Sequence, residues 1–80
     1  MMGKPFFVRA EWDEEASVWV ATSEDVPGLV TEENTIEGLI EKLRTIIPEL
    51  LEANGMRIDT EVPFELITRR FEIAQTAVTR

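Results

Sequence analysis

The sequence predicts an α+β domain of two layers, in which one amphipathic helix covers one face of a mainly antiparallel β-sheet. Between Thr35 and Ala53 the apolar residues recur with the spacing of a helical stripe, without an error in the pattern. The segments before and after it alternate or cluster apolar residues as strands do. One helix with one apolar stripe covers only one face of a small sheet. The predicted order β-β-β-α-β therefore leaves the other face uncovered.

The first two strands form a predicted hairpin over about residues 6–12 and 18–23. If Trp12 lies opposite Val18 in the paired strands, one face of the hairpin is consistently apolar, and we expect this face to pack against the helix. The side chains on this face are Val8, Ala10, Trp12, Val18, Val20 and Thr22. The large apolar side chains left on the uncovered face are Phe7 and Trp19.

A turn and a short third strand follow the hairpin. The segment Glu24-Asp25-Val26-Pro27-Gly28 contains a proline that presets φ and a glycine that accepts the positive φ of a type II turn. Leu29-Val30-Thr31 then predicts a short third strand.

The helix has start and stop signals. Its N-terminal cap is Asn34 or Thr35, and Glu37 occupies the capping-box position if the cap is Asn34. Gly55 is a left-handed C-terminal stop. Pro48 removes one hydrogen bond, but the stripe continues past it, which predicts a bend rather than a break. The stripe consists of Ile36, Leu39, Ile40, Leu43, Ile46, Ile47, Leu50 and Leu51.

A fourth strand follows the helix. Val62, Phe64 and Leu66 alternate toward the core, and Pro63 indicates that the strand starts at a sheet edge. Beyond it the apolar residues change phase, which a bulge at Arg69-Arg70 or a switch to the other sheet face explains. A short C-terminal helix is the alternative; its apolar side would consist of Ile67, Phe71, Ala74 and Val78.

Composition narrows the chemistry. The 80 residues make one domain, 1–80. Neither cysteine nor histidine is present, so the chain lacks a thiolate, the usual general base at neutral pH and the commonest metal ligand. A net charge of −8 repels phosphate backbones and favours a basic protein partner. No apolar run reaches membrane-spanning length and no signal-peptide core is present, so we expect a cytoplasmic protein that binds neither membranes nor nucleic acid directly.

Few residues could carry catalysis. The densest group of carboxylates is Glu11, Asp13, Glu14 and Glu15, with Asp25 as a further candidate. Hard cations need several converging oxygens, whereas alternation along a strand sends neighbouring carboxylates apart, so we interpret this group as a solvated turn. No histidine activates a serine or threonine, and no nucleotide-binding glycine loop is present. We therefore predict no catalytic residue, no cofactor and no metal site, and we do not expect an enzyme.

Large apolar residues on the uncovered face predict an interface. Phe7 and Trp19 are hard to place in the core of a monomer, and we expect them, with Ile67 or Phe71, to form an oligomer or partner surface. The alternative is that the C-terminal segment covers this face. A chain of this size buries only about 60 to 65% of its unfolded surface, so a second copy would add materially to its stability.

Two segments of the sequence resemble the HicB-like antitoxin domain. Asp25-Val26-Pro27-Gly28-Leu29 is similar to that family's turn of Asp, a hydrophobic residue, Pro and Gly, and Asn34-Thr35-Ile36-Glu37 is similar to the Thr-capped start of its helix. The stretch that begins with residues 11–16 and ends with residues 48–52 resembles still more closely a group of short uncharacterised bacterial relatives of HicB. The resemblance covers about residues 6–66, and its motifs are more specific for the fold than for an activity.

The resemblance implies a partial ribonuclease-H-like domain without nuclease function. HicB proteins bind and block HicA, a small basic RNA-cleaving toxin, and a separate C-terminal domain binds operator DNA. This sequence ends at Arg80, too soon for such a domain, so autoregulation is not implied. Glu32-Glu33-Asn34-Thr35 also replaces the family's usual Gly-Asp-Thr before the helix. No toxin-contact motif is visible that would transfer to particular residues here.

Three functions follow from these observations. The leading one is a non-catalytic, HicB-type binding module, homo-oligomeric, that sequesters a small basic partner such as a toxin ribonuclease. The second is a self-assembling domain of unassigned role. The third is a metal-dependent hydrolase, which requires Asp13 and Asp25 to converge with a helix glutamate.

Overall fold

The computed structural model describes residues 4–77 and folds them as four strands and one helix. The elements are β1 (Phe6–Asp13), β2 (Val18–Thr22), β3 (Val30–Glu33), α1 (Ile36–Ala53) and β4 (Phe64–Arg69). The sheet order is β3-β2-β1-β4, with β2 antiparallel to both of its neighbours and β4 parallel to β1. The predicted α+β fold, a mostly antiparallel sheet with a single helix, is confirmed.

The core lies between α1 and the sheet. Every fourth residue of α1 from Leu39 to Leu51 is fully buried, and the other residues of the predicted stripe are half-buried. The buried residues on α1 are Leu39, Leu43, Ile47 and Leu51. They pack against Val8, Ala10 and Ala21 of the sheet, which are also fully buried. Each large side chain contributes about 1.5 to 3 kcal/mol when it is fully buried, so this contact dominates the stability of the monomer.

Both ends of α1 are capped as the sequence indicates. Thr35, rather than Asn34, is the N-cap, and its hydroxyl accepts the Gly38 N–H at 3.0 Å. Gly55 has a φ of +85°, and the carbonyls of the last turn are satisfied by the two backbone N–H groups that follow the cap, as in a Schellman motif. The helix continues through Pro48 without a break.

The turn after β2 has the predicted type. Gly28 has a φ of +84°, and the Leu29 N–H donates to the Val26 carbonyl at 3.2 Å. Val26 and Leu29 are buried and belong to the core. Because the Leu29 N–H closes this turn, the strand begins one residue later than predicted, at Val30.

The predicted register of the β1–β2 hairpin is wrong by one residue. Trp12 opposes Trp19, not Val18, and Ala10 opposes Ala21. A shift of one residue moves every side chain of a strand to the other face. The helix-facing residues of β2 are therefore Trp19 and Ala21, while Val18, Val20 and Thr22 lie on the uncovered face. Residues 18–21 are all apolar, so their pattern fits either phase and did not select the register.

The last strand faces the core as predicted, but the C-terminal predictions are wrong. Phe64 and Leu66 pack against the core, and β4 pairs with β1 in continuous register, without a bulge through Arg69. The segment 70–77 contains neither helix nor strand. None of the apolar side chains in this segment packs against the buried cluster. Val78, named in the helical alternative, lies outside the described residues.

Candidate protein interface on the open sheet face

One face of the sheet has no helix against it among residues 4–77, and we call it the open face. Alternation places on it the odd-numbered residues of β1 and β4 and the even-numbered residues of β2 and β3. Its apolar side chains are Phe7, Val18, Val20, Val30 and Ile67, and its charged side chains are Arg9, Glu11, Asp13, Glu32, Glu65 and Arg69. The face is thus a mixed apolar and charged surface in which acidic groups outnumber basic ones.

Two of the predicted interface residues share a cleft on the open face. Phe7 and Ile67, on the neighbouring strands β1 and β4, line a shallow cleft of about 400 Å³ together with Arg9. Phe7 is 50% exposed and Ile67 is 47% exposed, so each has an apolar surface that the monomer does not bury. The sequence predicted Phe7 and Ile67 but missed Arg9, because a lone arginine in a strand carries no pattern of its own.

The far wall of the cleft is held in place by Ser23 and Asp25. The backbone N–H of Phe7 donates to Asp25 Oδ2 at 2.8 Å, and the Ser23 hydroxyl donates to the Phe7 carbonyl at 2.5 Å. The same hydroxyl accepts the backbone N–H groups of Asp25 and Val26 at 3.0 and 3.1 Å. These side chains replace the strand pairing that ends at Thr22. The signal for this role was present in the sequence as a serine and an aspartate two residues apart, just before a Pro-Gly turn.

Two carboxylates of the predicted acidic group, Asp13 and Glu14, also have structural partners. Asp13 Oδ1 accepts the backbone N–H groups of Glu15 and Ala16 at 3.1 and 3.2 Å, which closes the β1–β2 turn. Glu14 accepts the Trp12 indole N–H at 2.9 Å. Within residues 4–77, no group of three or more aspartates and glutamates lies close enough together to hold a metal ion. The acidic turn is thus held by hydrogen bonds that Asp13 and Glu14 accept.

Trp19, the third predicted interface residue, does not share a surface with Phe7 and Ile67. The corrected register turns it to the helix side, where it packs against the core and meets Trp12 edge-to-face, with ring centroids 5.3 Å apart. The guanidinium of Arg70 lies 4.1 Å above the Trp12 ring and 5.8 Å from the Trp19 ring. Arg70 thus covers this pair by a cation–π contact. Charge alone did not suggest that role, since the sequence favoured a salt bridge, which Arg70 also forms with Glu72.

Phe71, the fourth predicted interface residue, lies beyond the sheet. It is 84% exposed in the segment that follows β4. It is not among the residues that line the cleft.

Across residues 4–77, no helix is long and apolar enough to cross a membrane.

The fold and sequence are similar to those of a protein of known structure. The crystal structure of a hypothetical protein from the extremely thermophilic bacterium Thermus thermophilus superimposes on this fold with a TM-score of 0.68, and the two sequences are 46% identical. The similarity covers 91% of this chain and 100% of that chain. No curated protein matches the sequence. The model of a family described as a domain of unknown function, DUF1902, matches residues 5–76, nearly the whole chain, and the protein therefore belongs to the DUF1902 family.

Proposed function

We propose that this protein is a non-catalytic binding module of the HicB antitoxin type, which sequesters a small basic partner, such as a toxin ribonuclease, in the cytoplasm. The observation that carries the proposal is the open face. It presents unburied apolar side chains at the Phe7–Ile67 cleft, which the carboxylate of Glu24 also lines, and Glu65 lies beside Phe7 on β4. Apolar anchors with a charged rim are the usual anatomy of a protein interface.

The charge of the whole chain favours a basic partner. The net charge is −8, and the solvent side of α1 adds the exposed carboxylates of Glu37, Glu41, Glu49 and Glu52. Such a field speeds the encounter with a basic protein and disfavours acidic competitors. The apolar anchors would then supply the short-range part of the affinity.

The alternative of a metal-dependent hydrolase requires Asp13 and Asp25 to lie close together. Asp13 ends β1, whereas Asp25 binds the Phe7 N–H near the start of the same strand. Six strand residues separate the two positions by about 20 Å. Two carboxylates this far apart cannot share a cation, so the binding module has the better support.

The test is inhibition of RNA cleavage. The genes that flank the one encoding this chain are searched for a small basic reading frame, and its product is assayed on RNA with and without an equimolar amount of the chain. We expect the RNA to be cleaved in the absence of the chain and spared in its presence. Cleavage that continues under an excess of the chain, or the lack of any flanking basic RNA-cleaving product, would contradict the proposal.

A matched pair of substitutions tests the surface itself. Phe7→Lys introduces a charge at the cleft, and Met56→Lys introduces the same charge at a side chain of similar exposure, 45% against 50%, in the loop after α1. Phe7→Lys should weaken inhibition by at least about tenfold, equivalent to about 1.4 kcal/mol. Met56→Lys should leave it nearly unchanged. Equal effects would mean that the partner does not use the open face.

A further inference from the structure

The C-terminal segment, residues 70–77, projects from the body of the protein. The Cα atoms extend over 63 × 28 × 19 Å, although α1, with 18 residues, is only about 27 Å long. The radius of gyration is 16.1 Å, compared with about 12 Å for a compact domain of this length. Eight residues in an extended conformation span about 26 Å, which is most of the difference between the longest dimension and the length of α1.

This segment has the pattern of a strand without a neighbour. Phe71 and Ile73 are 84% and 73% exposed, and they continue the odd-numbered phase of Ile67 in β4. The edge of β4 that faces away from β1 is unpaired within residues 4–77. Exposed apolar alternation beside an unpaired strand edge is the usual template for pairing with another chain.

We infer that a second copy of this chain occupies this edge. Residues 65–77 of the two copies pair antiparallel about a two-fold axis at Phe71, so that each C-terminal segment becomes a strand along β4 of the other copy. The ladder is about 40 Å long. This inference is independent of the antitoxin proposal, because it uses the unpaired edge of β4, whereas that proposal uses the open face.

The charges on either side of Phe71 select the second copy and the register. With the axis at Phe71, Arg70 of one copy opposes Glu72 of the other, twice, and the two Phe71 rings oppose each other. An axis one residue earlier would place the two Arg70 side chains opposite each other, and an axis one residue later would do the same for the two Glu72 side chains. Opposite charges and aromatic pairs stabilise cross-strand neighbours, while like charges destabilise them. The segment is thus complementary to itself.

The first experiment measures mass in solution for the full chain and for two substitutions at equally exposed β-branched residues. The expected mass of the wild type is twice the 9.1 kDa of one chain. Ile73→Lys, which opposes Arg69 of the second copy, should give monomers. Val30→Lys, on the opposite edge of the sheet, should leave the dimer intact, since Ile73 and Val30 are both 73% exposed. Far-UV circular dichroism confirms that each variant is folded.

A charge exchange then tests the register. Arg70→Glu and Glu72→Arg each place like charges opposite each other across the axis. Each should raise the dissociation constant of the dimer by about tenfold or more. The double exchange restores opposite charges and should recover most of this loss, although it loses the contact of Arg70 with Trp12. A monomeric wild type at about 100 µM, a dimer that survives Ile73→Lys, or dissociation by Val30→Lys would each overturn the inference.

Discussion

At the start of β1, two side chains take the place of a neighbouring strand. Asp25 and Ser23 satisfy the N–H and the carbonyl of Phe7, which lie beyond the last paired residue of β2. The Ser23 hydroxyl also accepts the Val26 N–H, which fixes the backbone where Val26 enters the core. The Asp-Val-Pro-Gly-Leu motif is therefore explained by folding, since each member has a structural role.

Substituting Asp25 tests this explanation. Asp25→Ala leaves the Phe7 N–H without its acceptor and should lower the free energy of unfolding by about 1 to 2 kcal/mol. Glu24→Ala removes the adjacent exposed carboxylate and should change it by less than about 0.5 kcal/mol. Urea denaturation of both variants measures the difference. Equal losses would indicate that net charge, not the hydrogen bond, matters at this turn.

At the scale of the elements, the helix was predictable and the hairpin register was not. The stripe on α1 has one helical phase, and its caps, Thr35 and Gly55, are local signals. In β2, large or apolar residues occupy both phases, so the choice of face depends on the fit of Ala10 against Ala21 beneath α1. This fit is a property of the packed structure. The parallel pairing of β4 with β1 is also non-local. The sequence therefore assigned Phe7 and Ile67 to the face on which they lie, but assigned Trp19 to the wrong face.

Enlarging neighbouring residues of β2 tests the corrected register. Ala21 is fully buried under α1, so Ala21→Leu should overpack the core and cost about 1 to 3 kcal/mol of unfolding free energy. Val20 lies on the open face, so Val20→Leu should lower the free energy of unfolding by less than about 0.5 kcal/mol. Thermal or urea denaturation measures both. The reverse order would restore the register in which Val20 faces the helix.

Pro48 is a weak point in an otherwise regular helix. It has no N–H to donate to the Arg44 carbonyl, and its half-buried ring contributes some packing. Pro48→Ala restores the hydrogen bond at the expense of a few buried carbons and should raise the free energy of unfolding by about 1 to 2 kcal/mol. Glu49→Ala, at the next, exposed position, serves as the control. A loss of stability in Pro48→Ala would mean that the ring is needed where α1 meets residues 58–62.

At the scale of the whole molecule, the inferred dimer doubles the sheet without changing its layers. The two-fold axis at Phe71 is perpendicular to the sheet, because both Phe71 side chains lie on the same side of it. The strand order becomes β3-β2-β1-β4-β4-β1-β2-β3, with both helices on one side and both open faces on the other. A basic partner would then meet two Phe7–Ile67 clefts on one continuous surface.

Such a dimer should make thermal stability depend on concentration. A tenfold increase in protein concentration should raise the melting midpoint by up to about 4 °C, because the native state is favoured by mass action. The midpoint of Ile73→Lys should not change over the same range. Calorimetry across two decades of concentration distinguishes the two. A wild-type midpoint that does not vary would argue against coupling between folding and assembly.

The Arg70 contact gives the protein a built-in optical reporter. The chain has two tryptophans, and both lie at the corner of the sheet where β4 ends, under one guanidinium. Indole emission responds to a nearby cation and to water, and two rings 5.3 Å apart couple as an exciton pair in far-ultraviolet dichroism. Because Arg70 is adjacent to the inferred two-fold axis, separation of the copies would alter both signals. Assembly of the unlabelled protein can thus be followed by diluting it in a fluorimeter.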